Sequence, residues 1–107
     1  AIAHLDEFSG ADGVLSAVAL AGIGDAFADL NQPEDAHDYY VKASKEEVNA
    51  FLTPFFLNKA GVTAEMTGDY KSALKHYQRI KEDFPTSNEA AEVDALIAFC
   101  EAKVNNN

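Results

Sequence analysis

A single cysteine, Cys100, stands in the whole chain, which excludes an internal disulfide and any zinc site built on cysteine thiolates. It lies in the apolar stretch Ala98-Phe99-Cys100 and reads as a small buried hydrophobe. Long apolar runs are missing too. Stretches such as Ala17-Val18-Ala19-Leu20-Ala21 fall far short of the ~20 residues that span a bilayer. No signal peptide opens the chain, which starts at Ala1 without methionine, inside a helical pattern. The expectation is a piece of a longer protein, with any targeting or anchoring segment upstream. Cations are missing from the first part: no Lys or Arg precedes Lys42, whereas Asp6, Glu7, Asp12, Asp25, Asp29, Glu34, Asp35 and Asp38 do. With a net charge of −10, phosphate backbones and anionic membrane surfaces are repelled, which excludes nucleic acid and direct membrane binding as expected partners. Two readings of the acidity stay open, solubility or a face turned to a basic partner.

What is present is a repeat. Sliding the sequence against itself exposes a period of 37 residues: Leu20, Gly24, Ala36 and Tyr40 fall on Leu57, Gly61, Ala73 and Tyr77. Ile23 falls on the small Ala60. A partial earlier copy places Ala1 and Leu5 before Ala36 and Tyr40 at a spacing of 35. Periods in this range signal stacked supersecondary units.

Each unit reads as two helices. Around Ser16 to Leu30, the apolar residues Leu20, Ile23, Phe27 and Leu30 recur at helical spacing. Asn31-Gln32-Pro33-Glu34 ends that helix and starts a second, which buries Ala36, Tyr40 and Ala43 and runs to about Glu47. In the next unit Pro54 opens a helix to Met66. Gly68 in Thr67-Gly68-Asp69 supplies a left-handed turn. The helix after it carries Tyr70, Ala73, Leu74, Tyr77 and Ile80 and stops before Asp83-Phe84-Pro85, because a residue preceding proline avoids helical geometry. Thr86-Ser87-Asn88-Glu89 caps a last helix to about Val104, and the tail Asn105-Asn106-Asn107 frays. Residues 9–15 read as a connector. The three prolines sit only at helix starts or in loops, and no strand alternation survives, so the expected fold class is all-α.

Signals for chemistry are weak. His4 and His76 fall near equivalent positions of successive second helices, but a zinc site needs further converging ligands; His4, His37 and His76 read as surface residues. Asp35 with Asp38, and Glu89 with Glu92, share helix faces, yet paired carboxylates work as acid and base only when burial splits their pKa values. Asp6-Glu7-Phe8-Ser9-Gly10-Ala11-Asp12 lacks calcium-loop spacing. Gly22-Ile23-Gly24 lacks the third glycine and the strand of a dinucleotide loop. No nucleophile elbow or phosphate loop occurs. The expectation is no catalytic residue, no metal, no cofactor and no enzyme.

These residues resemble the tetratricopeptide repeat family, whose unit is a helix hairpin with a small residue in the first helix, Ala in the second, an aromatic four residues later and a closing Pro. Leu20-Gly24-Phe27-Ala36-Tyr40-Ala43 fits, and Leu57-Gly61-Gly68-Tyr70-Ala73-Tyr77-Pro85 fits better; the departures are Ala64, Ile80 and three extra residues around Glu46 to Thr53. The resemblance implies a right-handed superhelix of antiparallel hairpins, one domain over 1–107. Within it, 1–10 is the second helix of a truncated repeat, 16–48 and 54–85 are repeats, and 88–104 is a capping helix. Gly24 and Gly61 would let helices approach closely, while Tyr40 and Tyr77 fill the gap between units. More narrowly, Phe51-Leu52-Thr53-Pro54-Phe55-Phe56-Leu57, Gly68-Asp69-Tyr70-Lys71-Ser72-Ala73-Leu74 and Ala1-Ile2-Ala3-His4-Leu5-Asp6-Glu7-Phe8-Ser9-Gly10 are similar to the C-terminal part of membrane-anchored tetratricopeptide proteins of Bacteroidetes-type bacteria. That likeness implies the cell envelope, on the periplasmic side, if an anchor lies upstream.

In the family, first helices line a concave groove that holds a protein or peptide. Its contact positions carry over to Val18, Ala21, Asp25, Ala28 and Asp29, then to Phe55, Asn58, Val62, Glu65 and Met66, with Glu92 and Phe99 on the terminal helix. Val62 and Met66 read equally well as packed by neighbouring helices. Some members grip a peptide carboxylate with Lys, Arg and Asn. Asn58 and Lys59 match in part, but Asp25, Asp29 and Glu65 would repel such a ligand at a cost on the order of several kcal/mol if desolvated. The expected partner is therefore a segment of apolar and basic character in a scaffold supporting a protein complex. The alternative is a structural or self-associating spacer, a homodimer forming through the edge of Ile2, Leu5 and Phe8.

Overall fold

The apolar three- and four-residue spacing becomes helix throughout the computed structural model, which describes residues 11–106 except residue 47. Five α-helices follow in order: α1 Ala11–Asp29, α2 Pro33–Lys45, α3 Leu52–Met66, α4 Tyr70–Asp83 and α5 Val93–Asn105, with a 3-10 turn at Glu89–Ala91. Among the described residues there is no strand. The helix expected over 1–10, with His4 and the edge of Ile2, Leu5 and Phe8, lies outside the described residues.

Two three-residue turns set the topology. α1 ends where Asn31 adopts φ 60°, and the Gln32 N–H turns back to the Phe27 carbonyl at 2.9 Å. α3 ends in the same way at Gly68, φ 82°, with the Asp69 N–H on the Ala64 carbonyl at 2.9 Å. The two left-handed residues are one 37-residue period apart, so each repeat closes with the same backbone reversal. So short a connection forces each helix pair antiparallel. α2 then starts on Pro33 with Glu34 and Asp35 in its first turn, where the helix dipole favours carboxylates. Asp69 caps the start of α4, its carboxylate accepting from the Ser72 N–H at 3.2 Å and the Ser72 hydroxyl at 2.8 Å.

Each helix packs on its neighbours in sequence. The first core gathers Ala17, Ala21, Ala36, Tyr40, Ala43, Phe56 and Ala60; the second gathers Leu57, Ala64, Ala73, Tyr77, Ile80, Val93 and Cys100. α3 feeds both, Phe56 and Ala60 turning one way and Leu57 and Ala64 the other. Cys100 is buried in the second core, as its apolar setting implied.

The close approach within each hairpin rests on glycine. A Cβ on Gly24 would stand 2.8 Å from Tyr40 Cε1, and one on Gly61 would stand 2.6 Å from Tyr77 Cζ. Each tyrosine ring thus occupies the space beside the glycine of its own hairpin. Tyr40, expected to fill the gap between units, also shares the first core with Phe56 and Ala60 of the next hairpin.

Three boundaries differ from the sequence reading. Residues 11–15, read as connector, belong to α1, because Val14 and Leu15 continue its apolar spacing and Gly13 fits against Val48. α3 starts two residues before Pro54, since the Asn49 side chain accepts from the N–H groups of Phe51 and Leu52 at 2.9 and 2.7 Å. The single helix expected over 88–104 is broken at Glu92: the Ser87 hydroxyl accepts from the Ala90 N–H at 3.1 Å, closing the 3-10 turn. That turn aims Val93 into the second core, where it is fully buried.

Two outcomes follow for urea unfolding. Tyr77→Ala will lose about 3–5 kcal/mol, as large core truncations do, and Gly61→Ala about 1–3 kcal/mol through overpacking. A loss below about 1 kcal/mol for Tyr77→Ala would refute this packing. Gly68→Ala will lose about 1–2 kcal/mol from backbone geometry alone, since nothing lies within 4 Å of the added Cβ. No loss there would mean that the turn relaxes.

Candidate binding groove

The ten carried-over positions form two equivalent stripes, one on α1 and one on α3, because each residue of the second follows its counterpart by one period. Ala21 is the exception to an open stripe: it is packed into the first core, and Ala28 leans on the same core. The small alanines let α2 and α3 come close, so their side chains are spent on packing. Val18, Phe55, Val62 and Met66 are 50%, 43%, 43% and 57% exposed. The reading of Val62 and Met66 as residues packed away by neighbouring helices is thereby set aside. Asn58 is half-buried, and Asp29 and Glu92 are exposed. Phe99 of α5 is exposed and lies edge-on to Tyr70, with the Lys103 ammonium over both rings.

Asp25 is the electrostatic centre of the first stripe. It accepts from the Tyr40 hydroxyl and pairs with the Lys59 ammonium at 3.0 Å, a contact joining α1 to α3. Lys59 also sits over the rings of Tyr40 and Phe55, at 5.3 and 5.1 Å from their centroids. Burial raises the pKa of Asp25, but the hydrogen bonds from Tyr40 and Lys59 and the Lys59 charge outweigh it and hold the carboxyl below its usual value. Tyr40 responds oppositely: burial, then the Asp25 carboxylate, raises its pKa well above the ordinary phenol, so it stays a donor.

In the second stripe the Tyr77 hydroxyl donates to Glu65. The position equivalent to Asp25 is Val62, so this repeat takes its carboxylate from one turn further along α3 and uses the longer side chain to reach back. Burial, followed by Glu65, likewise raises the Tyr77 pKa. Asp25, Phe55 and Lys59 are thus brought together, and Glu65 is tied to the second core. Lys59, which matched part of a carboxylate-gripping set, is already engaged by Asp25.

The histidines correct the sequence reading. His37 on α2 and His76 on α4 are half-buried against one another, Nε2 to Nε2 at 3.0 Å. Burial, then the neighbouring His37, pushes His76 down to about 4. The signal that would have found them is a separation of 39 residues, close to one repeat, which brings neighbouring second helices together.

Among the described residues no group of three or more His, Cys, Asp or Glu is gathered for a metal, and no helix is long and apolar enough to cross a membrane. Comparison with known proteins finds no matching family model, no matching curated protein and no matching solved structure.

The tyrosine–carboxylate contacts are testable by a double-mutant cycle. Tyr40→Phe and Asp25→Ala will each cost about 1–2 kcal/mol, and together less than their sum by about 1 kcal/mol. Additive losses in urea unfolding would show the two groups acting independently.

Proposed function

We propose that this chain is a tetratricopeptide-like scaffold whose first helices hold a protein segment of mixed apolar and basic character. One observation carries the reading. Among the described residues, the exposed large apolar side chains within helices sit on α1, α3 and α5, and of these Val18, Phe55, Val62 and Met66 lie on the two equivalent stripes. Ile23, which falls on Ala60 by the period, faces another side of α1, and Leu30 and Phe51 are exposed in the connections. Every exposed residue of α2 and α4 is charged. Helical apolar surface on the first helices, beside second helices that expose only charge, is what a row of hairpins presents when one edge takes a ligand and the other takes water. The elongated form, 48 × 32 × 17 Å, suits such a row.

Charge selects among occupants. Asp25, Asp29, Glu65 and Glu92 border the apolar residues, and Lys59 is paired with Asp25. A basic segment gains from this field, and an acidic one is repelled. The repeated glycine–tyrosine hairpin supports the family resemblance, and with it a non-enzymatic part in assembling a protein complex, at the envelope if the protein is anchored there.

Fluorescence anisotropy with labelled amphipathic peptides tests this. A Leu/Lys peptide is expected to bind, more weakly at higher salt, and to lose at least about tenfold affinity in Val62→Lys and Asp29→Lys. A Leu/Glu peptide is expected not to bind. Equal binding of both peptides, or no effect of either variant, would overturn the proposal. Sedimentation of the unliganded chain supplies the other check, since a stable dimer that excludes the basic peptide favours the self-associating spacer.

A further inference from the structure

We propose that the Nε2 atoms of His37 and His76 together hold a divalent transition-metal ion, a clip between α2 and α4 on the opposite edge from the groove. The two atoms stand 3.0 Å apart. Two imidazoles on one ion at 2.0–2.1 Å have their nitrogens about 3.3 Å apart in a tetrahedron and about 2.9 Å apart at neighbouring corners of an octahedron, which brackets the observed distance. The rings therefore already hold the separation that a shared ion requires. Without an ion, one ring must donate a proton to the other; with one, both nitrogens turn lone pairs to the metal, and the donor ring moves its proton to Nδ1.

A second observation points the same way. The Asp38 carboxylate lies 3.5 Å from His37 Nδ1, longer than a hydrogen bond but on the side where metal-bound histidines present their other N–H to a carboxylate. The ring also opens onto a depression bordered by Glu34, Asp38 and Asp69, whose charge raises the local concentration of cations. Two imidazoles are the protein's share of the coordination sphere, and water completes it. Imidazole nitrogen selects Cu2+, Ni2+ and Zn2+ over Mg2+ and Ca2+. Because the ligands lie 39 residues apart on separate hairpins, the ion would stabilise the folded chain by linking them.

Isothermal titration and thermal unfolding of the chelator-stripped chain test the site with Zn2+, Ni2+ and Mg2+. One Zn2+ or Ni2+ per chain is expected, with a rise in Tm that EDTA reverses and no rise with Mg2+. His37→Asn and His76→Asn should each weaken binding at least about tenfold, and His4→Asn should not. Circular dichroism checks the fold of each variant, and the unaltered chain gives an independent readout: Zn2+ should shift the imidazole 15N signals of His37 and His76. Absence of saturable binding, unchanged affinity in both variants, or loss in His4→Asn alone would overturn the assignment. Binding that Mg2+ matches would also overturn it, as carboxylate attraction only.

Discussion

Everything in this fold depends on a tyrosine ring occupying the space where a first helix has no side chain. Tyr40 against Gly24 and Tyr77 against Gly61 bring the two helices of each hairpin closer than any residue with a Cβ would permit. The alanines follow from that spacing: Ala36, Ala60 and Ala73 are fully buried because helices so close leave room for a methyl group and little more. The contact also reaches beyond the core. Each ring lies across the glycine with its hydroxyl on a carboxylate of the first helix, Asp25 in one repeat and Glu65 in the next. Core packing therefore fixes where these carboxylates stand on the first helices.

α3 carries a double load. It closes the first core with Phe56 and Ala60 and the second with Leu57 and Ala64, and still presents Phe55, Val62 and Met66 to solvent. A helix apolar on that many faces is normally buried on all sides. Here one face stays open, whereas α2 and α4 bury a narrow stripe and expose charge. The asymmetry gives the two edges different chemistry: apolar and acidic along the first helices, polar with a histidine pair between the second helices.

Much of this was legible in the residues. The period of 37 placed both glycines and both tyrosines, and each does a packing job that only its own side chain allows. Gly68 was readable as a left-handed turn; Asn31, its equivalent, was not, because asparagine takes that geometry less often and hides the match. Pro54 suggested a helix start, but the N–H groups of the first turn were satisfied earlier by Asn49, a side-chain cap that no periodicity reveals. Ala21, carried over as a groove position by the family resemblance, is core, since a methyl group on a stripe boundary goes wherever the next helix approaches.

The sequence by itself determined the helices, their antiparallel pairing and the small-residue contacts, because these depend on spacing along one chain and on the conformational range of Gly, Asn and Pro. It also determined the net negative charge of the chain. Only the tertiary structure decided which carboxylate each tyrosine takes, that Asp25 and Lys59 tie α1 to α3, and that His37 meets His76. Those contacts join residues a dozen to nearly forty positions apart. They are set by the rotation of one helix against another, which the packed side chains fix together.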